Sequence, residues 1–413
     1  MTHAQPLGLF EGFGIEIELM IVDAETLEVR PIADELLKAV AGTYEMEVDR
    51  GKLCWSNELA LHLIELKTNG PVASLEGLHS AFQSDVSTIE ALLAPMGARL
   101  LPTGMHPWMS PDELRLWPHE DDVIYNSLHR IFDCRGHGWS NLQSMHVNLP
   151  FRDDAELARL HAAIRLVLPI LPALAASSPF VDGQASGLLD TRLNVYRNNA
   201  RRIPSVTGRV IPEPVFTRVD YERLLEGIYR DLAPLDPEGI LQHEWINARG
   251  CIARFDRMAL EIRLIDVQEC PRMDLAIARA ATAVVQALVE ETWVGLEEQQ
   301  AWTEQALEQV FLSTIADAER AIIRDSRFLG AFGLGPSPLL AAELWQHLVE
   351  TQIASRPAHA SAALDLQVIL DQGCLARRIV TAAGPRPSRE RLREVYGRLA
   401  TCLSQGETFT VQP

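Results

Sequence analysis

In Phe13-Gly14-Ile15-Glu16-Ile17-Glu18-Leu19-Met20-Ile21-Val22, apolar residues alternate with Glu16 and Glu18. A period of two marks a strand with one buried face, so both carboxylates project from the same side. Strand interiors disfavour Glu, and like charges on neighbouring same-face positions repel. Either this is the solvated outer face of an edge strand, or a divalent cation relieves the repulsion. A chain with such a segment must build a sheet with one apolar and one polar face.

The pattern recurs. In Ser144-Met145-His146-Val147-Asn148, the period of two puts Ser144, His146 and Asn148 on one face. His146 offers an imidazole, and Asn148 an amide that can orient water or phosphate. In Leu260-Glu261-Ile262-Arg263-Leu264, Glu261 and Arg263 face away from the apolar residues. They read either as a cross-strand ion pair or as a metal ligand beside a phosphate clamp, because the guanidinium fork fits phosphate oxygens. In the segment Asn57 to Thr68, seven positions separate Glu58 from Glu65. An unbroken strand would put them on opposite faces, so either a bulge lies between them or only one reaches a shared site. Glu65, between Ile64 and Leu66, reads as the ligand, with an ion pair to Lys67 as the alternative.

One sheet carrying these strands gathers Glu16, Glu18, Glu65, His146, Glu261 and Arg263 onto one concave surface. Oxygen-rich ligation with one imidazole suits Mg²⁺ or Mn²⁺ better than zinc. Several carboxylates, cations and nearby arginines are what a nucleoside triphosphate needs during phosphoryl transfer.

Further strand candidates are residues 44–48, 59–66, 99–103, 142–149, 242–247 and 260–267, with helices between them. Ser74 reads as the N-cap of a helix over 75–93 that Gly97 stops, and Asp153 or Asp154 as the start of one to about residue 176, divided by Pro169 and Pro172. From Met273 onward the text becomes long Ala-, Leu-, Glu- and Arg-rich helical stretches, with the strands confined to the first two thirds. Strands and helices without regular alternation indicate an α+β architecture on an antiparallel sheet. The expected organisation is a catalytic sheet domain over 1–290 and a helical region over 291–413 packed on it. No Gly-rich phosphate loop follows a strand, so a P-loop or Rossmann site has little support.

Charge narrows the function further. With 37 Lys and Arg against 56 Asp and Glu, the net charge is −19, which argues against a nucleic-acid or anionic-membrane reader. No uncharged apolar run reaches the roughly 18 residues of a membrane span, and no signal segment opens the chain. The expectation is a cytoplasmic protein. The six cysteines are scattered singly and read as small core residues.

Taken together, the motifs resemble those of the second class of glutamate–cysteine ligases and their relatives, the carboxylate–amine ligases. The resemblance rests on Gly14 to Leu19, Glu58 through Glu65 to Thr68, Leu101 to Pro107, Met145 to Asn148, Ser177-Ser178-Pro179-Phe180 with Gly183, and Leu260 to Arg263, in order, over about residues 12–290. It implies a glutamine synthetase-like fold, a curved, mostly antiparallel sheet forming an open funnel with helices outside. It also implies ATP and Mg²⁺ as cofactors, and a small-molecule acid and amine as substrates. ATP phosphorylates the acid, classically the γ-carboxylate of glutamate, and the amine, classically cysteine, displaces the phosphate. By resemblance, Glu16, Glu18, Glu58, Glu65, His146 and Glu261 share the metals, and Arg263 holds the transferring phosphoryl group. Glu65, Glu261 and Arg263 then form the catalytic set, with Arg254 and Asn148 beside the nucleotide. Arg249 or Arg254 is placed near the substrate carboxylates, with a surface role as the alternative, and Arg192 and Arg197 read either as helix surface or as a substrate rim. Many relatives carry His-x-His where this chain has His146-x-Asn148. A metal-dependent hydrolase, a phosphotransferase and an inactive nucleotide-binding regulator are the alternative readings. The helical C-terminal third either wraps the sheet or pairs copies in a homo-oligomer.

Overall fold

The structure is a computed structural model that describes residues 6–411. The alternating segment forms β1 (Gly14–Asp23), the centre of an eight-stranded sheet. The strands that follow are β2 (Glu47–Asp49), β3 (Leu53–Asn57), β4 (Leu63–Thr68), β5 (Ala98–Leu101) and β6 (Ser144–Pro150). A separate hairpin, β7 (Phe180–Val181) and β8 (Gln184–Ala185), precedes β9 (Cys251–Arg254) and β10 (Ala259–Asp266). The sheet order is β2-β3-β4-β1-β6-β10-β9, β5 pairs with the far half of β1, and every pairing is antiparallel.

This is the α+β architecture expected from the sequence. Ile15, Ile17, Leu19, Met145, Val147, Leu149, Leu260 and Ile262 are buried on one face of the sheet. Helices His79–Leu93 and Arg389–Gln405 pack on β5, and Asp154–Val167 and Pro172–Ala175 on β10. The helix Pro271–Val289 packs against His79–Leu93, Asp154–Val167 and Ala360–Gln372 and is buried along nearly its whole length, which explains its all-round Ala/Val/Leu text.

Local signals act as their chemistry dictates. Asp153 caps its helix by accepting the Glu156 N–H, and the proline-bearing turn Leu168–Ile170 divides that helix from Pro172–Ala175. Gly97 ends the turn after Leu93 at φ 68°, a conformation that favours glycine. Ser74 lies one turn early, its hydroxyl accepting the Glu76 N–H before the helix begins at His79.

The structure corrects three expectations and adds two strands that the sequence did not announce. Residues 242–247 form a 3₁₀ turn (Glu244–Ile246), because Trp245 and Ile246 point to a cavity and no strand lies alongside. Residues 59–62 are not strand: the chain leaves β3 at Asn57 and re-enters as β4 at Leu63. Strands β3 and β9 carry no alternation to read, since β3 is buried on both faces. A short pair, Ile322–Ile323 with Leu339–Leu340, lies in the last third.

The C-terminal segments are fastened to the sheet side of the molecule. Arg378 and Glu269, both fully buried, are paired at 2.6 Å. Phe409 donates its N–H to Glu269 at 3.1 Å, and its carbonyl accepts from Arg378. Gln83 also donates to the Leu403 carbonyl at 2.9 Å. No helix among the described residues is long and apolar enough to cross a membrane.

Candidate active site

Pairing in register assembles the polar face. Opposite Glu16 stands His146 on β6, opposite Glu18 stands Glu65 on β4, and opposite Asn148 stands Glu261 on β10. Because each strand sends alternate side chains the same way, these groups meet on the face opposite the apolar one that Asp154–Val167 and Pro172–Ala175 cover. His146 Nδ1 lies 2.9 Å from Glu16 Oε2 and 3.6 Å from Glu261 Oε1, and its Nε2 lies 3.8 Å from Glu18 Oε1. Asn148 donates to Glu16 at 3.1 Å, and Ser144 donates its N–H and hydroxyl to Glu18 at 2.7 and 2.9 Å.

Glu261 sits between two guanidinium groups, with Arg263 Nε at 3.0 Å and Arg254 Nη1 at 3.2 Å. Glu65 accepts the Ser56 hydroxyl at 2.7 Å and lies 3.4 Å from Lys67, which also pairs with Glu47 at 2.8 Å. The two readings of Glu65, cluster member and partner of Lys67, thus hold together. Glu58 is brought in by the turn after β3, so the opposite-face problem does not arise: it lines the same cavity as Glu18 and His146.

Electrostatics follow from this crowding. Burial opposes ionisation of Glu16, but the hydrogen bond and charge of His146, with Arg257 and Lys67, outweigh it and hold its carboxyl at about 2. Burial pushes Glu65 up to about 7, helped by the charge of Glu16. Burial and the charges of Glu18 and Glu65 raise Glu58 well above the carboxylate range. Burial alone would lower His146, yet Glu16 and Glu18 raise it. A cluster that keeps some of its carboxylates from ionising is short of positive charge.

That shortage, with the donor chemistry, fits a divalent cation. Glu16, Glu65 and His146 each offer a ligand atom, all within 4.8 Å of one another. Carboxylate oxygens with one imidazole suit Mg²⁺ or Mn²⁺.

Two cavities flank the cluster. One, of about 560 Å³, is lined at its polar part by Glu18, Glu58, His146, Arg192, Tyr196 and Arg263. The other, of about 490 Å³, runs past Phe13, Gly14, Glu16, Lys67, Thr68 and Asn148. Arg257, 3.6 Å from Glu16, lines both.

Arg192 is buried and held by Asp266. Asp266 also accepts the Ser177 N–H at 2.9 Å and the Ser178 hydroxyl at 2.8 Å, so the Ser177-Ser178 motif positions an arginine. The Nη2 of Arg192 and the hydroxyl of Tyr196, one helical turn apart, are buried without a partner among the described residues. Arg249 is turned elsewhere. Its Nε and Nη2 bond Glu213 at 2.6 and 2.7 Å and its Nη1 bonds the Ser205 carbonyl at 2.9 Å, because it props the 205–213 loop. Sequence reasoning read Lys67 only as an ion-pair partner of Glu65 and assigned no role to Arg257, Tyr196 or Asp266. Lys67 carried a signal, two positions from Glu65 on the same strand face; Arg257, in the β9–β10 turn, carried none.

Comparison with known proteins decides the family. The sequence profile of glutamate–cysteine ligase family 2 matches residues 12–396. The chain belongs to this family. An uncharacterized protein of Archaeoglobus fulgidus is 33% identical over 96% of this chain and 99% of its own length. A Ruegeria pomeroyi protein, provisionally named glutamate–cysteine ligase 2, is 28% identical over 65% of this chain and 62% of its own. Among solved structures, the glutamate–cysteine ligase of Francisella tularensis in complex with AMP shares the fold, with a TM-score of 0.65, 12% identity and coverage of 96% of this chain and 89% of that one. A bifunctional glutathione synthetase from Pasteurella multocida gives a TM-score of 0.60 at 14% identity, over 96% of this chain and 53% of that one. Membership places this glutamate–cysteine ligase family 2 chain among ATP-dependent ligases.

Proposed function

We propose that the chain joins an amino-acid carboxylate, glutamate first among candidates, to an amine through an acyl phosphate. The observation that carries this reading is the convergence of Glu16, Glu18, Glu58, Glu65, Glu261 and His146 between two cavities, with Arg263 and Arg254 fixed on Glu261. Two cavities meeting at one charged ledge suit a reaction in which a nucleotide and an acid must touch.

In the first step a carboxylate oxygen attacks the γ-phosphorus, the bond to the β-phosphate oxygen breaks, and ADP leaves. In the second the amine lone pair attacks the acyl carbon, the carbon–oxygen bond breaks, phosphate leaves with the electron pair, and the nitrogen loses a proton. Arg263, oriented by Glu261, holds the transferring phosphoryl oxygens, and Arg254 and Asn148 stand beside the nucleotide. Arg192, oriented by Asp266, presents its unpartnered Nη2 to the acid. Glu16, Glu65 and His146, with Glu18, Glu58 and Glu261 around them, would hold the Mg²⁺. Bound Mg²⁺ supplies the positive charge that neutralises triphosphate oxygens. Glu65, Glu261 and Arg263 form the catalytic set. Six unpaired thiols, five of them buried, and dependence on ATP fit a cytoplasmic setting.

The test is ADP and phosphate release with Mg-ATP, a panel of amino-acid carboxylates led by glutamate, and a panel of amines including cysteine, with mass detection of the product. An amide formed with stoichiometric ADP supports the reading. Background ATP turnover with every acid and amine pair overturns it.

A further inference from the structure

The larger cavity has two unlike parts. Its charged part carries Glu18, His146, Arg192 and Arg263. The remainder is walled by Met46, Leu59, Leu63, Leu128, Trp139 and Trp245. Met46, Trp139 and Trp245 are only half-buried, so apolar surface stays in contact with water until something covers it. Trp139 is a fixed wall, since its ring stacks on Phe132 at 5.4 Å and its Nε1 donates to the Asn199 carbonyl at 3.0 Å.

The polar side chains of this apolar part are already engaged. Asn199 donates to the Gly138 carbonyl at 3.1 Å and accepts from Thr207, and the Tyr125 hydroxyl accepts from Asn57 at 2.9 Å. This leaves the Tyr125 O–H as a donor without an acceptor among the described residues, a neutral group that cannot balance the charge of an amino acid's carboxylate, and the cavity's arginines lie with the catalytic carboxylates. A buried carboxylate without a partner would be costly, whereas an apolar group gains from the walls.

We propose that the amine substrate bears an aromatic or branched apolar group and no carboxylate, and that this group occupies the chamber formed by Trp139, Trp245, Leu59 and Leu128. The inference rests on the reading of the chain as an amide-forming ligase and adds the class of nucleophile. The step it concerns is attack of the amine nitrogen on the acyl phosphate, with phosphate leaving and one proton lost, as above.

The experiment compares kcat/KM for phenethylamine, isoamylamine, methylamine, glycine and cysteine, at saturating Mg-ATP and glutamate. Phenethylamine and isoamylamine are expected to exceed methylamine and cysteine by roughly 30-fold or more, as apolar pockets discriminate about tenfold or better per group lost. In Trp245→Ala, the KM for phenethylamine should rise about tenfold while the KM for ATP stays within twofold. Preference for cysteine or glycine would overturn the inference while leaving the ligase reading intact. No amide with any amine would defeat both. Inhibition by phenethylamine that is competitive with ATP would show the chamber to be the adenine slot and also overturn the inference.

Discussion

At the scale of single residues, the site is a set of carboxylates whose partners differ in kind. Glu261 is paired on both sides by guanidinium groups, whereas Glu58 has no cation in contact among the described residues and is held back from ionising. Replacing Glu261 by Gln keeps its shape but halves what orients Arg254 and Arg263. Loss of preorganised charge at phosphoryl transfer typically costs 10²–10³ in rate. Glu261→Gln should therefore lower kcat for ADP release by about 100-fold or more, with a melting temperature within a few degrees of the parent. An unchanged kcat would remove Glu261 from the catalytic set. That these side chains share one face was legible, because period-two text sends alternate residues the same way whatever the strand order. Arg192 and Tyr196 were harder to read, since what marks them is two unpartnered polar atoms, which only packing reveals.

At the scale of elements, the unread parts have physical causes. Strand β3, Leu53-Cys54-Trp55-Ser56-Asn57, is covered on both sides, so burial leaves no alternation in its text. Residues 242–247 have strand-like composition because their apolar side chains line a cavity rather than a core. Glu58 and Glu65 conflicted on paper because a turn was read as strand. The Leu101 to Pro107 segment shows how tightly such connections fit. A Cβ on Gly104 would overlap the Asp266 carboxylate, which holds Ser177, Ser178 and Arg192. Gly104→Ala should cost roughly 1–3 kcal/mol, the usual range for overpacking. A urea midpoint measurement checks this, and an unshifted midpoint would mean that Asp266 yields freely.

At the scale of the molecule, pH should act through buried histidines remote from the sheet's polar face. Burial lowers His62 to about 4 and His106 and His161 to about 3, from 6.5. His106 is committed to the neutral form by geometry. Its Nδ1 lies 3.2 and 2.9 Å from the Trp108 and Met109 N–H groups it accepts, while Nε2 donates to the Leu27 carbonyl at 2.7 Å. Below pH 6.5 the unfolded chain binds protons that the folded chain refuses, so stability is fully present above that value and falls as pH drops toward 3–4. Each such group removes up to about 1.4 kcal/mol per pH unit. Carboxyls that burial raises, Glu58 and Glu65 among them, act in the opposite sense over the same range. The histidine contribution is therefore measured by comparing the parent with His106→Gln in urea at pH 7.5, 6 and 5. The parent should lose more stability than the variant on going from 7.5 to 5, and equal losses would mean that His106 gains its proton without cost to the fold.

Arg257 stands half-exposed beside Glu16 with a cavity on either side. A side chain shared by two chambers makes their occupants thermodynamically aware of each other. Whatever factor the nucleotide lends to the affinity of the acid, the acid must return to the nucleotide. Titrating ADP with and without saturating glutamate, and then the reverse, should give the same ratio of dissociation constants. Arg257→Ala should bring that ratio toward one. The partition between the chambers is then also their line of communication.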